Sequence, residues 1–169
     1  MKTSLIIATY NWPEALELVF MSVLKQSKLP DEIIIADDGS TNATKEMINS
    51  FKSKVSSEIK HIWHQDDGFQ KTIILNKAIE VAKGDYIIQI DGDIILHTNF
   101  IKDHISSARK EQFIHGSRAF LNQKLTNSAF KKKNITFTTL QKGISNRMNT
   151  IRSIFLSSIL SKINKNLKG

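Results

Sequence analysis

Three groups of aspartates in the first hundred residues have the residue types and the spacing needed to bind a cation. They are Asp37-Asp38, Asp66-Asp67 and Asp91-Gly92-Asp93. Carboxylates that lie close together repel each other unless a proton or a cation relieves the repulsion. Mg²⁺ and Mn²⁺ prefer oxygen ligands, and Mg²⁺ is usually held by one or two carboxylates together with phosphates of a substrate. The aspartates therefore predict a Mg²⁺ or Mn²⁺ site that takes a diphosphate-bearing substrate.

The elements that must position these aspartates are short apolar runs separated by amphipathic segments. We predict strands over residues 3–9, 31–37, 59–64, 85–90 and 113–121. We predict helices that start near Pro13 and at Ser40 or Thr41, a helix over residues 71–83 that Gly84 stops, and a helix over residues 99–110. This alternation predicts an α/β fold with a mainly parallel sheet and helices on both faces. Ligands of such sheets bind outside the carboxyl ends of the strands, so the aspartates should converge on one edge.

An alternative interpretation is that each aspartate caps a helix or a turn, and for Asp66 and Asp67 both interpretations stay open. Asp91 and Asp93 favour ligand binding, because both carboxylates stand where a predicted strand leaves the sheet. Gly92 between them allows a close backbone approach to a ligand. We interpret His61 and His64 as satisfied or surface histidines rather than as metal ligands.

The composition is that of one globular domain, with 169 residues of which 40% are apolar and 24% charged. Because cysteine is absent, a disulfide scaffold, cysteine-ligated zinc, an iron–sulfur cluster and thiol catalysis are excluded, and a cytoplasmic location is expected. No run of ~18 apolar residues is present, so we expect no membrane-spanning helix.

The net charge of +8 is unevenly distributed along the chain. Residues 1–111 contain 13 basic and 16 acidic side chains, whereas residues 112–169 contain 11 basic and no acidic ones. The acidic first part would repel a phosphate backbone, so we expect no nucleic-acid partner, with RNA binding by the cationic tail as the alternative.

The cationic tail contains apolar residues at steps of four and three. These are Leu140, Ile144, Met148, Ile151, Phe155, Ile159, Ile163 and Leu167. The spacing predicts a basic amphipathic helix. Such a helix fits peripheral contact with an anionic membrane surface, or packing against an acceptor-binding half that lies outside the chain.

Four motifs occur in a fixed order: Thr9-Tyr10-Asn11, Ala36-Asp37-Asp38-Gly39-Ser40, Gly84-Asp85-Tyr86 and Ile90-Asp91-Gly92-Asp93. Together they resemble the nucleotide-binding half of family-2 glycosyltransferases, over residues 3–121. Further segments resemble the branch with bacterial galactosyl- and chondroitin-type transferases; they are Gln65-Asp66-Asp67-Gly68-Phe69, Asn76-Lys77-Ala78 and His115-Gly116-Ser117-Arg118.

The resemblance implies a GT-A (Rossmann-like) fold and an inverting transfer of a sugar from a UDP-sugar to a saccharide or lipid-linked saccharide. An Asp-x-Asp motif would hold the donor through Mn²⁺ or Mg²⁺. Residues 1–121 would form the nucleotide-sugar-binding domain, and residues 122–169 a basic linker and amphipathic helix leading to the acceptor-binding half. The location implied is the cytoplasm or the inner face of the cell membrane.

The resemblance also implies roles for single residues. The backbone of Ala8 and Thr9, together with Tyr10, would line the uracil pocket, and Asp38 would accept a hydrogen bond from the uracil N3–H while Asp37 steadies the loop. Asp67, Lys71 and Asn76 would contact the nucleoside or order that wall, although Lys71 is equally consistent with a solvated lysine. Asp91 would reach the ribose or a metal-bound water, and Asp93 would bind the metal.

The carboxylate base that an inverting transferase needs is missing from this pattern. Beyond Glu111 the sequence contains no Asp or Glu, and the later metal-binding His of the family has no evident counterpart. We expect a fragment that ends before the acceptor half, since Asp38, Asp91 and Asp93 are retained. The alternatives are a domain that binds a UDP-sugar without turning it over, and a phosphorylation-controlled receiver domain, which the Asp-Gly-Asp triplet fits poorly.

Overall fold

Four parallel strands form the central sheet, in the order β3-β2-β1-β4. The structure is a computed structural model that describes residues 1–152. The strands are β1 (Thr3–Thr9), β2 (Glu32–Asp37), β3 (Glu58–Trp63) and β4 (Tyr86–Asp91). The helices are α1 (Pro13–Leu24), α2 (Asn42–Lys52), α3 (Lys71–Glu80) and α4 (Phe100–Ser107). The predicted alternation of strands and helices is confirmed.

Helices cover both faces of this sheet, as apolar runs such as Ile33-Ile34-Ile35 predict. Leu5, Ile33 and their neighbours on one face pack against apolar residues of α1, α2 and α4. Ile6 and Ile34 on the opposite face pack against α3. Because successive strand residues point to opposite faces, the fully buried run Ile33-Ile34-Ile35 contributes to both cores.

The strand register brings the carboxyl ends to one edge, as predicted. Thr9 at the end of β1 pairs with Asp37 at the end of β2. On the other side of β1, Ala8 pairs with Asp91 at the end of β4. Two of the three aspartate groups therefore begin within two neighbouring strand spacings, roughly 10 Å, of each other.

A buried carboxylate joins the strands at the opposite edge of the sheet. Glu32 accepts hydrogen bonds from Ser4 Oγ at 2.6 Å, Lys60 Nζ at 2.6 Å and Lys83 N at 2.5 Å. Burial by itself raises the pKa of Glu32, but these three donors outweigh it and lower the pKa to about 2. The ionised Glu32 therefore ties β1, β2, β3 and the segment before β4 together.

Three element boundaries differ from the prediction by more than two residues. Helix α3 ends at Glu80, with Val81 at its C-cap, so Gly84 does not stop it. A Cβ at Gly84 would lie 2.5 Å from Ser4 Oγ, so this glycine instead permits close approach to β1. Helix α4 ends at Ser107 rather than near residue 110, and the strand predicted over residues 113–121 is limited to Phe120–Leu121.

Over the described residues, the chain divides into two compact units: residues 1–114 with 132–135, and residues 115–131 with 136–152. Outside the central sheet, the chain forms β5 (Phe120–Leu121), α5 (Gln123–Lys132), β6 (Ile144–Ser145) and a 3₁₀ helix, Arg147–Thr150. Strands β5 and β6 pair antiparallel. Helix α5 was not predicted.

The amphipathic helix predicted from Leu140 onward is wrong over the part of the tail that the structure describes. Gly143 and Asn146 adopt positive φ angles of 94° and 52°, which a right-handed helix does not accommodate. Gly143 O instead accepts a hydrogen bond from Asn122 N at 2.7 Å. The remainder of the predicted helix, residues 153–169, lies outside the described residues. Within residues 1–152, no helix combines the length and hydrophobicity needed to cross a bilayer.

Candidate nucleotide-binding site

A pocket of about 230 Å³ opens at the carboxyl ends of β1 and β4. Its lining residues are Ala8, Thr9, Tyr10, Trp12, Ala36, Asp38, Phe69, Lys71, Ile74, Asp91, Gly92 and Asp93. This is the edge at which the open α/β sheets bind ligands. Seven of the site residues named from the sequence lie in this lining: Ala8, Thr9, Tyr10, Asp38, Lys71, Asp91 and Asp93.

Asp37 lies behind the pocket rather than in it. Its carboxylate is only 1% exposed, and Oδ1 accepts a hydrogen bond from Ser40 N at 2.9 Å. Its other oxygen, Oδ2, lies 2.8 Å from His61 Nε2. Asp37 therefore holds the β2–α2 loop to β3 in a way that fits the predicted loop-steadying role.

Asp38 reaches the pocket while its carboxylate is held from two directions. Oδ1 lies 2.8 Å from His64 Nε2, and Oδ2 accepts a hydrogen bond from Gln70 N at 3.1 Å. Both partners belong to the loop between β3 and α3, so Asp38 joins the two ends of that loop. Because each carboxylate oxygen has two lone pairs, Asp38 can still accept a hydrogen bond from a ligand.

The pairing of His61 and His64 with the two aspartates was not predicted from the sequence. Each imidazole is largely buried, with 13% and 11% of its side chain exposed. One sequence feature is consistent with the pairing: Asp37-Asp38 lie at the end of β2, and the two histidines lie near the end of β3. Because the sequence does not show that β2 and β3 are neighbours in the sheet, it could not assign the histidines to the aspartates.

The loop between β3 and α3 packs directly against the β2–α2 turn. Gly39 has a φ angle of +93°, and a Cβ there would lie 2.6 Å from Asp66 Cα. Asp66 also accepts a hydrogen bond from Tyr10 Oη at 3.0 Å. A glycine is thus required at position 39 both by its backbone conformation and by the space available.

Asp67 and Asn76 are exposed and do not line the pocket. Asp67 Oδ2 accepts a hydrogen bond from Gln70 Nε2 at 3.1 Å, so it orders the loop beside the pocket. Asn76 lies on α3 beyond the pocket wall. The structure therefore brings neither residue into the pocket, although both were named with the nucleoside wall.

Lys71 and Asp91 form an ion pair inside the pocket, with Nζ 2.5 Å from Oδ1. Their side chains are 35% and 38% exposed. The alternative of a simply solvated Lys71 does not describe this geometry, because the ammonium group is directed at the first carboxylate of the Asp-x-Asp triplet.

The second carboxylate of the triplet is available for a cation. Among the described residues, Asp93 makes no hydrogen bond and no ion pair, and it is exposed to the pocket. Gly92 N donates to Ala8 O at 2.6 Å, and a Cβ at Gly92 would lie 2.9 Å from the same oxygen. The close approach of the triplet to β1 fixes the backbone from which the Asp93 side chain extends.

The donor set fits a hard divalent cation that is completed by a ligand. Residues 1–152 contain no cluster of three or more His, Cys, Asp or Glu side chains able to enclose a metal by themselves. Asp91 and Asp93 supply carboxylate oxygens at the rim of the pocket. This matches Mg²⁺ or Mn²⁺ sites that share their ion with substrate phosphates.

Two aromatic residues of the pocket were not named from the sequence as site residues. Trp12 and Phe69 line it together with Tyr10, and their exposed fractions are 44% and 88%. A partly exposed aromatic wall offers a flat apolar surface to a planar ring. Phe69 ends the segment Gln65–Phe69, but its residue type does not distinguish it from other loop residues.

The fold and pocket define an α/β domain with a carboxylate pair at the carboxyl edge of its sheet. The model of the family described as Glycosyl transferase family 2 matches residues 4–167. The chain belongs to this family, and its mainly parallel sheet with flanking helices is of the GT-A type. The receiver-domain alternative is therefore set aside.

Similar proteins include polysaccharide synthases. The hyaluronan synthase of Pasteurella multocida is 25% identical over 122 residues, which are 70% of this chain and 12% of that protein. The chondroitin synthase of Escherichia coli is 28% identical over 103 residues, 60% of this chain and 15% of that protein. The chain thus spans a small part of these relatives.

A solved structure supports the same fold. The crystal structure of S. aureus TarS 1-349 in complex with UDP matches with a TM-score of 0.54 and 25% identity. The match covers 63% of this chain and 31% of that chain.

Proposed function

We propose that the pocket binds a UDP-sugar and that the chain takes part in transfer of the sugar to a saccharide acceptor. The observation that carries the proposal is the shared pocket of Asp38, Lys71, Asp91 and Asp93 at the carboxyl edge of the sheet. The similarity to TarS, crystallised in complex with UDP, supports uridine diphosphate as the nucleotide.

The nucleoside end of the donor is assigned to the β1 side of the pocket. Tyr10 and the backbone of Ala8 and Thr9 would line the uracil site, and Asp38 offers acceptor oxygens for the N3–H of the base. A uracil ring has an N–H between two carbonyls, so a buried carboxylate complements its central group. The aromatic side chains of Trp12 and Phe69 would border the ring.

The diphosphate end is assigned to the Asp-x-Asp triplet. Asp93, and Asp91 once it is released from Lys71, would hold Mn²⁺ or Mg²⁺, which when bound neutralises charge that develops on the departing diphosphate. Lys71 lies within reach of the same carboxylate and can turn its ammonium group toward an anionic ligand. The protein itself therefore supplies one ammonium group to offset the charge of the diphosphate and two carboxylates to hold the metal ion.

The pocket offers fewer groups for the acceptor than for the donor. Its carboxylates are Asp38, Asp91 and Asp93, and the proposal assigns all three to the donor. No carboxylate of the described pocket is then left to take the proton from an acceptor hydroxyl. We therefore assign donor binding to this domain and leave the base to residues outside it.

Peripheral contact with an anionic membrane, in the cytoplasm, is part of the proposal for lipid-linked acceptors. Residues 112–152 carry eight basic and no acidic side chains. Leu140 and Met148 in this region are 86% and 75% exposed. Cationic and exposed apolar side chains together favour binding to an anionic lipid surface.

Calorimetric titration tests the proposed donor. UDP and UDP-sugars are titrated into the protein with Mn²⁺, with Mg²⁺ and with EDTA. We expect UDP binding that strengthens with the cation. Absence of UDP binding under all three conditions would contradict the proposal.

A second candidate function is binding of a UDP-sugar without turnover. The lack of any Asp or Glu after Glu111 favours it, because the base that an inverting transferase needs is a carboxylate. Release of UDP from UDP-sugars in the presence of mixed saccharide acceptors separates the two functions. Binding with no UDP release would support the second candidate.

A further inference from the structure

His64 lies between a buried anion and a lysine, outside the lining of the pocket. Its Nε2 is 2.8 Å from Asp38 Oδ1, and its Nδ1 is 3.5 Å from Lys77 Nζ. Only 11% of the His64 side chain is exposed. Lys77 is on the exposed side of α3, so the three residues run from the surface to the pocket.

The chemistry of the two neighbours assigns the tautomer of His64. The ammonium group of Lys77 can only donate hydrogen bonds, so it requires a lone pair on Nδ1. An ionised Asp38 can only accept, so it requires a hydrogen on Nε2. A neutral imidazole with its hydrogen on Nε2 satisfies both contacts.

This arrangement determines how Asp38 faces the pocket. One oxygen is held by His64 and the other by Gln70 N, both through N–H donors. The Asp38 side chain is only 6% exposed, so little water competes for its carboxylate. Its remaining lone pairs present acceptor atoms, and no donor, to a base in the pocket.

We propose that His64 and Lys77 are specificity-determining positioning residues that hold Asp38 as an acceptor and thereby select the base of the nucleotide. The proposal rests on the proposed function of the pocket. Uracil presents N3–H to the carboxylate, whereas cytosine presents a lone pair at the same ring position and is repelled. His64 and Lys77 act through Asp38 and touch no ligand themselves.

The test measures UDP and CDP affinity in the presence of Mn²⁺ for the wild type and three variants. His64→Leu removes the donor, and we expect UDP affinity to fall by about tenfold, because hydrogen bonds to charged groups contribute on this scale. The UDP-to-CDP preference should shrink with it. His64→Gln keeps an N–H donor near the position of Nε2 and should restore most of the preference.

Lys77→Met leaves the imidazole in place and removes the group that fixes its tautomer. We expect a smaller loss, about threefold, again with a reduced preference for UDP over CDP. His115→Leu and Lys45→Met serve as matched controls, since both side chains are exposed and neither lines the pocket. Circular dichroism melting checks that each variant is folded.

The outcomes separate this proposal from the proposed function. If the wild type binds no UDP, the function of the pocket is wrong. If the wild type binds UDP and the folded His64→Leu protein keeps the full preference, the positioning proposal alone is overturned. Should His64→Leu fail to fold, an unchanged preference in Lys77→Met overturns it in the same way.

Discussion

Lys71 Nζ lies 2.5 Å from Asp91 Oδ1, so the first residue of α3 is paired with the last residue of β4. The pair joins two elements on either side of the pocket mouth. We expect a cation that binds Asp91 Oδ1 to displace the lysine, which frees the ammonium group to face a bound anion. The proposed exchange would keep the charge of Asp91 balanced before and after a ligand enters.

Replacement of Lys71 by Met should have opposite effects on two ligands. Without nucleotide, Mn²⁺ affinity should rise by about threefold because the competing ammonium group is gone, a modest effect since the ion pair is partly exposed. UDP affinity measured with saturating Mn²⁺ should fall, because a cation near the diphosphate is lost. Titration calorimetry measures both, with Lys45→Met as the control for a lost surface charge. Equal affinities in variant and wild type would refute the displacement.

Asp93→Ala should remove the metal dependence of UDP binding without unfolding the protein. Its carboxylate has no partner among residues 1–152, so its loss breaks no internal contact. We expect the enhancement of UDP affinity by Mn²⁺ to fall by roughly tenfold or more, since even outer-shell residues of metal sites affect affinity on that scale. Glu46→Gln, which removes an exposed carboxylate on α2, should retain the enhancement. Unaltered metal dependence in Asp93→Ala would contradict the assignment.

Glu32→Gln should destabilise the fold in a manner that depends on pH. The pKa of Glu32 is lowered from 4.5 to about 2 in the folded protein, so the ionised carboxylate stabilises the fold above pH 4.5. That contribution is lost as the pH falls from about 4.5 to about 2. Near neutral pH we expect a loss of about 3 kcal/mol in the free energy of unfolding.

Denaturant titration at several pH values measures this difference. The gap between wild type and Glu32→Gln should close at low pH. Glu58→Gln is the control, because that side chain is 56% exposed and lies 3.9 Å from Lys83, and it should cost under about 1 kcal/mol. A gap that stays constant with pH would mean that the ionised state of Glu32 does not stabilise the protein.

Gly39→Ala and Gly68→Ala form a matched pair that separates backbone strain from lack of space. Both glycines have positive φ, 93° and 76°. A Cβ at Gly39 would lie 2.6 Å from Asp66 Cα, whereas a Cβ at Gly68 would meet no described atom within 4 Å. Gly68→Ala should cost about 1 kcal/mol for its conformation alone. Gly39→Ala should cost more and should also weaken UDP binding, because the loop carrying His64 and Gln70 has to move.

Denaturant unfolding and UDP titration of these two proteins give the readout. Equal stability losses with unchanged UDP affinity would show that the contact between Gly39 and Asp66 does not shape the pocket.

The central sheet could be predicted because its signals are local. The run Ile33-Ile34-Ile35 predicts a buried strand from its own composition. Pro13 predicts a helix start because proline is favoured at the first position of a helix. The convergence of Asp38 and Asp91 could be predicted because the carboxyl ends of parallel strands lie at the same edge of a sheet. These features need no knowledge of strand order.

The features that escaped prediction depend on contacts between distant segments. Gly84 was predicted to stop a helix. A glycine is instead needed there because Ser4 lies too close to leave room for a Cβ. The pairing of His64 with Asp38 depends on β2 and β3 being neighbours. In the tail, spacing alone predicted a helix, whereas the backbone conformations of Gly143 and Asn146 exclude it.

The two ends of β2 have separate tasks, with Glu32 at the first residue of the strand and Asp37 at the last. A strand of this length places them roughly 17 Å apart. Substitutions in the loop that follows Asp37 can therefore change the pocket while the contacts of Glu32 at the other end stay intact. This separation favours evolutionary diversification, because changes in the pocket leave in place the contacts of Glu32 that hold the strands together.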